Sequence, residues 1–477
     1  MTPTVPLAID LDGTLSRTDT MWETLLCLLA SRPWLVFALI LAIPRGRAGF
    51  KAWLARHQGI DPGSLIFNDD VLALAHTARA AGRPVLLVTG ADQSIADSVA
   101  GHFDFFSEAW GSDGHINLTR DHKTAALIAR FGVGGYDYIG DSTADLPVWQ
   151  ASHQAIVVAP SAGLLARARA AKPDTIVLGQ RPAASVRARL IARALRPHQW
   201  AKNFLIFVPA LAGHHTDRAT LLACTLAFFA FSLLASSVYV LNDLLDLPHD
   251  RLHATKKNRP FASGALKLSV APAMIAATFG GGLALSLALP LRFCAILLVY
   301  YVATLAYSLR LKRLMVWDVM TLAGLYTLRI FAGAAAIGGV VSPWLLVFSL
   351  FLFYCLAIVK RQTELTHYAR AGKTEHISGR GYLAEDLAML RAMAAASGYM
   401  AVLVLALYMN STEVVALYRH PLALWALCPI LLFWISRVLM LAHRGEMNDD
   451  PVVFALRDRG SLLVGSASIC VIIAGLL

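Results

Sequence analysis

The distribution of apolar residues divides the chain into two parts of different character. Residues 1–200 alternate short apolar runs with charged segments, a pattern typical of a water-soluble α/β domain. Beyond about residue 203, long apolar stretches follow one another and are separated only by short polar loops. The chain is therefore predicted to join an N-terminal soluble domain to a C-terminal all-α transmembrane bundle.

The apolar stretches are long enough to predict individual membrane spans, since a helix needs about 20 apolar residues to cross a bilayer. A shorter stretch, at about 203–216, precedes eight longer ones. The eight lie at about 219–241, 270–289, 293–309, 316–338, 343–360, 391–409, 421–441 and 461–477. We expect a bundle of nine transmembrane helices.

Basic residues indicate the orientation of this bundle, because Lys and Arg near span ends stay on the cytoplasmic side. With the N-terminus inside, the clusters at 256–259 and 310–313 are cytoplasmic, and the outer loops hold only Arg218, Arg292 and Arg419. The net charge of +11 thus fits a multi-pass protein of the inner (plasma) membrane with a cytoplasmic N-terminal domain. The bilayer is the expected partner, and nucleic acid is not.

An acidic motif, NDLLDLPHD, follows the first long apolar stretch. It places Asn242, Asp243, Asp246 and Asp250 at a spacing that brings three of them near one helical face. Clustered carboxylates beside an apolar bundle repel one another and are costly to desolvate unless a cation joins them. Oxygen ligands favour Mg²⁺, which binds carboxylates together with substrate phosphates. The alternative is a solvated acidic loop.

Basic and polar residues near the same ends of the spans could complete a site for a metal diphosphate. They are Lys202, Arg251, Lys256, Arg259, Tyr307, Lys312, Asp318, Lys360 and Arg361. Lys312 and Lys360 would serve equally well as simple membrane anchors. Asp318 cannot be explained as a membrane anchor. An acidic residue at the start of an apolar span is costly to bury, so a functional role is the default hypothesis for it.

In the soluble domain, polar side chains follow apolar strand-like runs. Asp10 and Asp12 follow LAI, Thr89 ends LLVT, Lys123 begins a helical segment, and Asp141 and Asp145 follow YIG. Parallel strands would gather these residues at the carboxyl edge of a sheet. Asp10 would attack phosphorus, Asp12 would act as acid and base, and Thr89 and Lys123 would hold the phosphoryl oxygens. Asp10, Asp12, Asp141 and Asp145 would form a second Mg²⁺ site.

The segment between Asp12 and Thr89 is predicted to form a small helical cap at about residues 20–80. Its apolar run Pro33–Pro44 is too short to span a membrane and is followed by basic residues that include Lys51. This run is either the core helix of the cap or a patch that rests on the bilayer surface. Residues 181–202 are expected to form a linker with a basic amphipathic helix. The predicted domains are therefore 1–180 and 203–477.

These motifs resemble two known families. NDLLDLPHDRLHATKKNRPFASG (Asn242–Gly264) resembles the first aspartate-rich motif of the UbiA-type intramembrane prenyltransferases. RPHQWAKN (Arg196–Asn203), YSLRLK with Asp318, and KRQTEL (Lys360–Leu365) look more narrowly like decaprenyl-phosphate phosphoribosyltransferase. The N-terminal motifs resemble the haloacid dehalogenase superfamily, with its Rossmann-like α/β fold.

The resemblance implies a bifunctional enzyme. The membrane domain would transfer phosphoribose from phosphoribosyl diphosphate to a polyprenyl phosphate, and the phosphatase would remove the 5-phosphate of the product. Two alternatives stay open: an aromatic prenyltransferase that uses a polyprenyl diphosphate, and a non-enzymatic transporter or scaffold with a phosphate-sensing domain. A homo-oligomer is compatible with each of these three functions.

Overall fold

The computed structural model describes residues 5–253, 255–370, 381–447 and 451–477. The chain forms two compact units. The first contains Met1–Leu195 and Val240–Met274, and the second contains Arg196–Tyr239 and Ile275–Leu477. The segment with the aspartate-rich run belongs to the first unit.

A six-stranded parallel sheet forms the centre of the first unit, as the sequence predicted. Its strands are β1 (Leu7–Ile9), β2 (Val85–Asp92), β3 (Glu108–Ser112), β4 (Asp137–Gly140), β5 (Ala155–Val158) and β6 (Ile176–Leu178). Their order is β3-β2-β1-β4-β5-β6. The chain therefore adds β2 and β3 on one side of β1 and β4, β5 and β6 on its other side. Ile9 of β1 pairs with Leu87 on one side and Ile139 on the other. Open α/β sheets bind ligands beyond the carboxyl ends of strands where the strand order changes sides in this way.

Helices cover both faces of this sheet. The helices of the first unit up to residue 195 are, in chain order, α1 (Thr20–Ser31), α2 (Val36–Ala42), α3 (Gly46–His57), α4 (Asp69–Ala80), α5 (Gln93–Gly101), α6 (Asp121–Phe131), α7 (Leu146–Ala151), α8 (Ala162–Ala171) and α9 (Ala184–Ala194). Apolar residues of α4 and α5 pack on one face of the sheet, and those of α6, α7 and α8 pack on the other. Burial of β-branched and aliphatic side chains on both faces fixes the sheet and the strand ends that carry the site.

The helices α1, α2 and α3 form a cap with a small core of its own around Leu28, Ala42, Trp53 and Leu54. The apolar run 33–44 packs one face into this core. Its other face is exposed: the exposed fractions are 65% for Trp34, 73% for Phe37 and 77% for Leu41. The run therefore combines a core helix with an apolar surface.

The remaining helices, again in chain order, are α10 (Val208–Ala212), α11 (Arg218–Leu245), α12 (Leu247–Leu252), α13 (Ala271–Ser286), α14 (Leu291–Leu309), α15 (Trp317–Ala336), α16 (Pro343–Arg370), α17 (Leu387–Met409), α18 (Thr412–Leu417), α19 (Leu427–Arg444), α20 (Pro451–Ala455) and α21 (Arg459–Leu476). Except for α12, they belong wholly or largely to the second unit.

Eight helical segments in the described part of the chain are long and apolar enough to cross a membrane, which makes this a multi-pass membrane protein. They begin and end near the eight longer stretches predicted above. The expected ninth span at 203–216 is not a long helix. Its residues fall in a 3₁₀ helix, Pro197–Phe207, and in the short α10. Pro209 lies at the start of α10, and the buried Lys202 and Asn203 lie in the 3₁₀ segment.

Candidate active sites

The carboxyl ends of β1 and β4 bring three carboxylates together. Asp10 follows β1, Asp141 follows β4, and Asp145 ends a single 3₁₀ turn, Thr143–Asp145. One oxygen from each lies within 4.8 Å of the other two. Asp141 and Asp145 are far from Asp10 in sequence, yet β1 and β4 are hydrogen-bonded neighbours, so the sheet itself creates the cluster.

Lys123, in the first turn of α6, is the buried cation of this cluster. Its Nζ donates to Asp10 Oδ1 at 2.9 Å and to the Tyr138 hydroxyl at 2.7 Å. The same Nζ lies 3.8 Å from Asp145 Oδ1. Asp10 Oδ2 has no hydrogen-bond partner among the described residues, and this leaves it available to a ligand.

Asp145 is held by neighbouring donors. The Tyr138 hydroxyl donates to Oδ1 at 2.9 Å, and the backbone N–H and hydroxyl of Ser142 donate to Oδ2 at 3.0 and 2.9 Å. Tyr138 thus accepts from Lys123 and donates to Asp145. A chain of charge-assisted hydrogen bonds fixes the orientation of both charged groups.

Asp12 and Thr89 lie at the same edge of the sheet with different partners. Asp12 Oδ1 accepts from the backbone N–H of Thr20 at 2.7 Å, where the cap begins, and Asp12 does not belong to the three-carboxylate cluster. Thr89 is fully buried in β2, and its hydroxyl accepts from the Ala91 N–H at 3.0 Å. The backbone between β1 and α1 therefore orients Asp12.

Burial and mutual repulsion perturb these acids. Burial raises the pKa of Asp10 to about 6, although Lys123 opposes the shift, and burial with repulsion from Asp19 raises the pKa of Asp12 to about 7. Burial also raises the pKa of Asp141, against the effect of Lys267. Burial alone would lower the pKa of Lys123, but Asp10 and Asp145 outweigh it and raise it. Lys123 therefore stays charged, and Asp12 can carry a proton near neutral pH.

The cluster of Asp10, Asp141 and Asp145 fits a divalent cation. Three carboxylate oxygens converge in a small volume, and burial raises the pKa values of Asp10 and Asp141 despite the neighbouring lysines. Oxygen-only ligation is the preference of Mg²⁺. Of the four predicted ligands, Asp10, Asp141 and Asp145 therefore lie close enough to hold one ion, whereas Asp12 lies outside the group, and the metal site itself stays a prediction.

A cavity of about 310 Å³ opens above these residues and is lined by further cations. Lys51 of α3, which the sequence suggested as a basic flank of a membrane patch, instead donates to Gly90 O at 2.6 Å and to Asn117 Oδ1 at 3.4 Å. Lys267 reaches the cavity from the Val240–Met274 segment, and its Nζ lies 3.1 Å from Asp141 Oδ2. Arg17 and Arg120 also line it.

In the aspartate-rich run, two carboxylates converge on one arginine. Arg259 Nη1 donates to Asp243 Oδ1 at 3.1 Å and, more closely, to Asp250 Oδ2. Both aspartates are buried, with side-chain exposures of 2% and 4%. Asp246 instead accepts from Asn242 Nδ2 at 3.0 Å. The Arg259 guanidinium thus already lies between Asp243 and Asp250, while Asp246 contacts Asn242. Among the described residues, the three aspartates of this run do not form a group whose oxygens all lie within 4.8 Å of one another, so their role as metal ligands stays a prediction.

Arg251, predicted to bind phosphate, has a different set of partners. Its Nη1 and Nη2 donate to the two carboxylate oxygens of Glu23 at 3.2 and 2.5 Å, and Nη1 also donates to Ser64 O at 2.7 Å. Its Nε donates to Ala262 O at 3.3 Å. All three nitrogens are engaged inside the first unit, so the side chain is committed to the protein rather than to a phosphate. Lys256 is exposed.

The second unit holds another buried polar cluster. Asp318, at the start of α15, is fully buried, and it accepts from the Tyr307 hydroxyl at 2.8 Å and from Arg361 Nη2 at 3.1 Å. Arg361 Nε also donates to Asp318, and its Nη1 donates to Glu364. The predicted Tyr307, Asp318 and Arg361 are thus brought together as one network.

The three predicted lysines of the second unit lie at different depths. Lys202 is buried and its Nζ lies 5.5 Å from the centre of the Tyr326 ring. Lys312 is buried in the turn after α14, and Lys360 is half-buried on α16. Depth alone does not separate their two predicted roles, so they stay predictions as substrate contacts.

Arg329, a buried arginine in the middle of α15, is a polar site residue that was not predicted from the sequence. Its Nε donates to Asn203 Oδ1 at 2.8 Å, its Nη2 donates to the Tyr300 hydroxyl at 3.1 Å, and its guanidinium lies over the Phe231 and Tyr300 rings. Because Arg329 is a charged residue within an apolar span, its position in the sequence could have identified it as a functional candidate. Tyr138, Lys267 and Arg120 gave no such signal, because each becomes significant only through the fold.

Three comparisons with known proteins bear on these sites. A family model described as the UbiA prenyltransferase family matches residues 204–457. The uncharacterized protein y4nM of Sinorhizobium fredii is 37% identical over 465 residues, which span 97% of this chain and 89% of that protein. That similarity includes both the α/β part and the helical part.

A decaprenyl-phosphate phosphoribosyltransferase from Corynebacterium glutamicum is 32% identical over 208 residues, which span 43% of this chain and 63% of that protein. Among solved structures, a UbiA homologue from Archaeoglobus fulgidus bound to GPP and Mg²⁺ matches with a TM-score of 0.46 and 17% identity. That match covers 59% of this chain and 99% of the other.

Proposed function

Because the chain belongs to the UbiA prenyltransferase family, we propose that it is a bifunctional enzyme that builds and then dephosphorylates a lipid-linked phosphoribose. In the first reaction, phosphoribosyl diphosphate would be the donor and a polyprenyl phosphate the acceptor. The similarity to a decaprenyl-phosphate phosphoribosyltransferase supports this choice of substrates. The basic residues of the inner loops support a cytoplasmic position for the N-terminal part.

The convergence of Asp243 and Asp250 on Arg259 is the main support for the transfer site. These two buried carboxylates would hold a metal ion once Arg259 turns from them to the diphosphate. Asp243 and Asp250 would hold Mg²⁺, with Asp246 and Asn242 beside them. Mg²⁺, when bound there, would neutralise charge on the departing diphosphate. Arg259 and Lys256 would contact its phosphate oxygens, whereas Arg251 is not part of this set.

In the transfer step, a phosphate oxygen of the acceptor would form a bond to the anomeric carbon of the ribose as the bond from that carbon to the diphosphate breaks. The product is a phosphodiester that joins the lipid to ribose and retains the 5-phosphate. A lipid acceptor can reach a membrane-embedded enzyme laterally through the bilayer. This explains why the chemistry of a soluble sugar phosphate takes place in a transmembrane protein.

A donor competition tests the transfer reaction. Purified full-length protein is supplied with labelled phosphoribosyl diphosphate, a polyprenyl phosphate and Mg²⁺, with and without an excess of unlabelled polyprenyl diphosphate. We expect labelled lipid to form at a rate that the polyprenyl diphosphate leaves nearly unchanged. Consumption of the polyprenyl diphosphate in place of the phosphoribosyl donor would instead support the aromatic prenyltransferase alternative.

For the second reaction, the cluster at the ends of β1 and β4 suits a phosphatase of the haloacid dehalogenase type. Asp10 Oδ2 would attack the phosphorus while Lys123 holds Oδ1 and, with Thr89, the phosphoryl oxygens. The bond from phosphorus to the leaving oxygen breaks, and Asp12 donates a proton to that oxygen. Asp12 then takes a proton from water as the water attacks phosphorus, the bond to Asp10 breaks, and phosphate leaves. The pKa of Asp12, raised to about 7, suits both roles.

Mg²⁺ would be held by Asp10, Asp141 and Asp145 and would offset the charge of the bound phosphoryl group. The 5-phosphate of the transfer product is the proposed substrate. Its hydrolysis would make the two-step sequence irreversible, and one chain raises the local concentration of the second site. To test this, Asp10→Asn in the full-length protein should accumulate the phosphorylated lipid while transfer continues. Continued release of inorganic phosphate by that variant would refute the assignment.

A further inference from the structure

Basic residues line the phosphatase cavity together with the acidic residues Asp10, Asp12, Asp19, Asp141 and Asp145. Lys123 lies at the floor beside Asp10, and four further cations line the cavity: Arg17, Lys51, Arg120 and Lys267. Lys51 is directed at Gly90 O and Asn117. Arg17, Arg120 and Lys267 are exposed, so their charges can reach a ligand that enters from solvent.

Arg120 is the most informative of the three. Its backbone has φ 51° and ψ −122°, a region that side-chain-bearing residues rarely occupy. Within the described part of the chain, its guanidinium has no hydrogen-bond or ion-pair partner. Arg120 directly precedes α6, and Lys123 lies three residues later in the first turn of that helix. Strained backbone at a cavity is typical of residues that are held in place for a ligand.

The other two cations have partners that a ligand can replace. Lys267 Nζ lies 3.1 Å from Asp141 Oδ2, and its side chain is 67% exposed. Arg17 pairs with Asp69 at 3.1 Å, and both side chains are exposed, at 43% and 88%. The Arg17–Asp69 pair is exposed on both sides and contributes little free energy, so its loss costs little when an anion binds. Asp141 is only 13% exposed, so Lys267 leaves it at low cost only when Mg²⁺ compensates that carboxylate.

We propose that Arg17, Arg120 and Lys267 form a second anion subsite, which binds a phosphate group other than the one that Asp10 attacks. The substrate class is then a sugar with a phosphate monoester at one position and a second phosphate at another. A cavity of about 310 Å³ has room for such a compound. This inference rests on the proposed function, in which the second phosphate is the diester that links ribose to the lipid.

The subsite can be tested by binding, without turnover. Full-length Asp10→Asn protein in detergent is titrated by calorimetry with three probes: ribose 5-phosphate, ribose 1,5-bisphosphate, and ribose 5-phosphate that carries a hexyl phosphodiester at C1. We expect both two-phosphate probes to bind about tenfold more tightly than ribose 5-phosphate, the gain typical of a charge-assisted hydrogen bond. If the diester probe gains more affinity than the bisphosphate, the subsite binds the phosphodiester of the lipid linkage. If the bisphosphate gains more, the subsite binds a free second phosphate.

Arg120→Gln and Lys267→Gln, each added to this background, should reduce the preference to about threefold or less. Arg130→Gln is the matched control, since Arg130 lies on α6, the helix that Arg120 precedes, is 60% exposed and does not line the cavity. The transfer site could hold the same probes, so only the preference that Arg120→Gln removes is assigned to the subsite.

A preference that survives Arg120→Gln and Lys267→Gln, or the lack of any preference, would overturn the subsite. The proposed phosphatase reaction is judged separately, from phosphate release by protein with an intact Asp10. If the binding preference is present and release from the lipid product is absent, the subsite stands and the proposed substrate fails. If release occurs and the preference is absent, the proposed substrate stands and the subsite fails.

Discussion

Arg251, in the aspartate-rich run, forms a two-point ion pair with Glu23 of the cap helix α1. Nη2 donates to Oε1 at 2.5 Å, Nη1 donates to Oε2 at 3.2 Å, and the two side chains are 7% and 3% exposed. The two residues are 228 positions apart. The pair therefore fixes the segment that holds Asp250 to the cap within the first unit.

Removal of either partner should destabilise the first unit strongly, because it leaves a buried charge without compensation. Glu23→Gln or Arg251→Gln should lower the free energy of unfolding of this unit by about 3–5 kcal/mol. Hydrogen exchange of full-length protein, resolved by peptide, measures the loss, and a double-mutant cycle isolates the pair. Asp69→Asn breaks the exposed Arg17–Asp69 pair and should cost about 1 kcal/mol or less. Equal effects from Glu23→Gln and Asp69→Asn would contradict this interpretation.

A glycine is required at position 13 because the backbone there lies close to the Asp141 carboxylate. Its φ is +77°, and a Cβ there would lie 2.4 Å from Asp141 Oδ2. Gly13→Ala should therefore displace this carboxylate and reduce phosphate release at least about tenfold, the effect expected when an active-site group moves by about 1 Å. Gly132→Ala is the control: its φ is +82° but nothing lies within 4 Å, so it carries backbone strain without the clash. Similar activities for the two variants would show that Asp141 need not hold its position.

The stability of the metal-free first unit should fall as pH rises. Asp10 and Asp12 have pKa values of about 6 and about 7 when folded, both above the ordinary value of 3.8. The folded state therefore binds more protons than the unfolded state, and the stability present below pH 3.8 is lost as pH rises through about 7. Hydrogen exchange of β1 and β4 in chelator at about pH 5 and about pH 8, corrected for intrinsic exchange rates, measures this loss.

The comparison with Asp12→Asn identifies the group responsible. This variant removes one of the two carboxyl groups whose pKa is raised, so its stability should depend less steeply on pH than that of the wild type. Mg²⁺ should restore stability mainly at the higher pH, because carboxylate ligands must lose their protons before they bind metal. A wild-type stability that rises between about pH 5 and about pH 8, with the same slope in Asp12→Asn, would contradict the assignment.

The exposed face of the apolar run in the cap should contact lipid. Trp34, Phe37 and Leu41 are 65%, 73% and 77% exposed, and an apolar helix face of this kind partitions into the interface of a bilayer. In nanodiscs, brominated lipids should quench part of the tryptophan fluorescence, including that of exposed tryptophans in the spans such as Trp344, and Trp34→Phe should lower the quenched fraction. Trp149→Phe, which alters a fully buried residue of the sheet core, should leave the quenched fraction unchanged. Equal quenching in wild type and Trp34→Phe would show that this face lies away from lipid.

Local patterns were sufficient to predict much of this molecule. Asp10 and Asp141 follow apolar strand-like runs, and parallel pairing of β1 and β4 brings such strand ends together. The eight long helices follow directly from continuous apolar stretches. The failed ninth span shows the limit, because the stretch at 203–216 is divided between a 3₁₀ helix, which buries Lys202 and Asn203, and the short α10.

Contacts between distant segments could not be predicted. Arg251 resembles a phosphate ligand in sequence, and only the folded chain shows its pairing with Glu23. Lys267 and Asp141 are 126 positions apart, and no local pattern links them. The strained backbone of Arg120 is likewise a property of the fold, since nothing in its neighbouring residues requires a positive φ.

Phosphorus NMR of the reaction products tests the two-step account most directly. Wild-type protein given phosphoribosyl diphosphate, a polyprenyl phosphate and Mg²⁺ should produce diphosphate, a phosphodiester signal and inorganic phosphate. Asp10→Asn should give the same phosphodiester together with a retained phosphate monoester, and Asp243→Asn should leave the donor intact. An unchanged donor in the wild-type reaction, or full turnover by Asp243→Asn, would contradict the account.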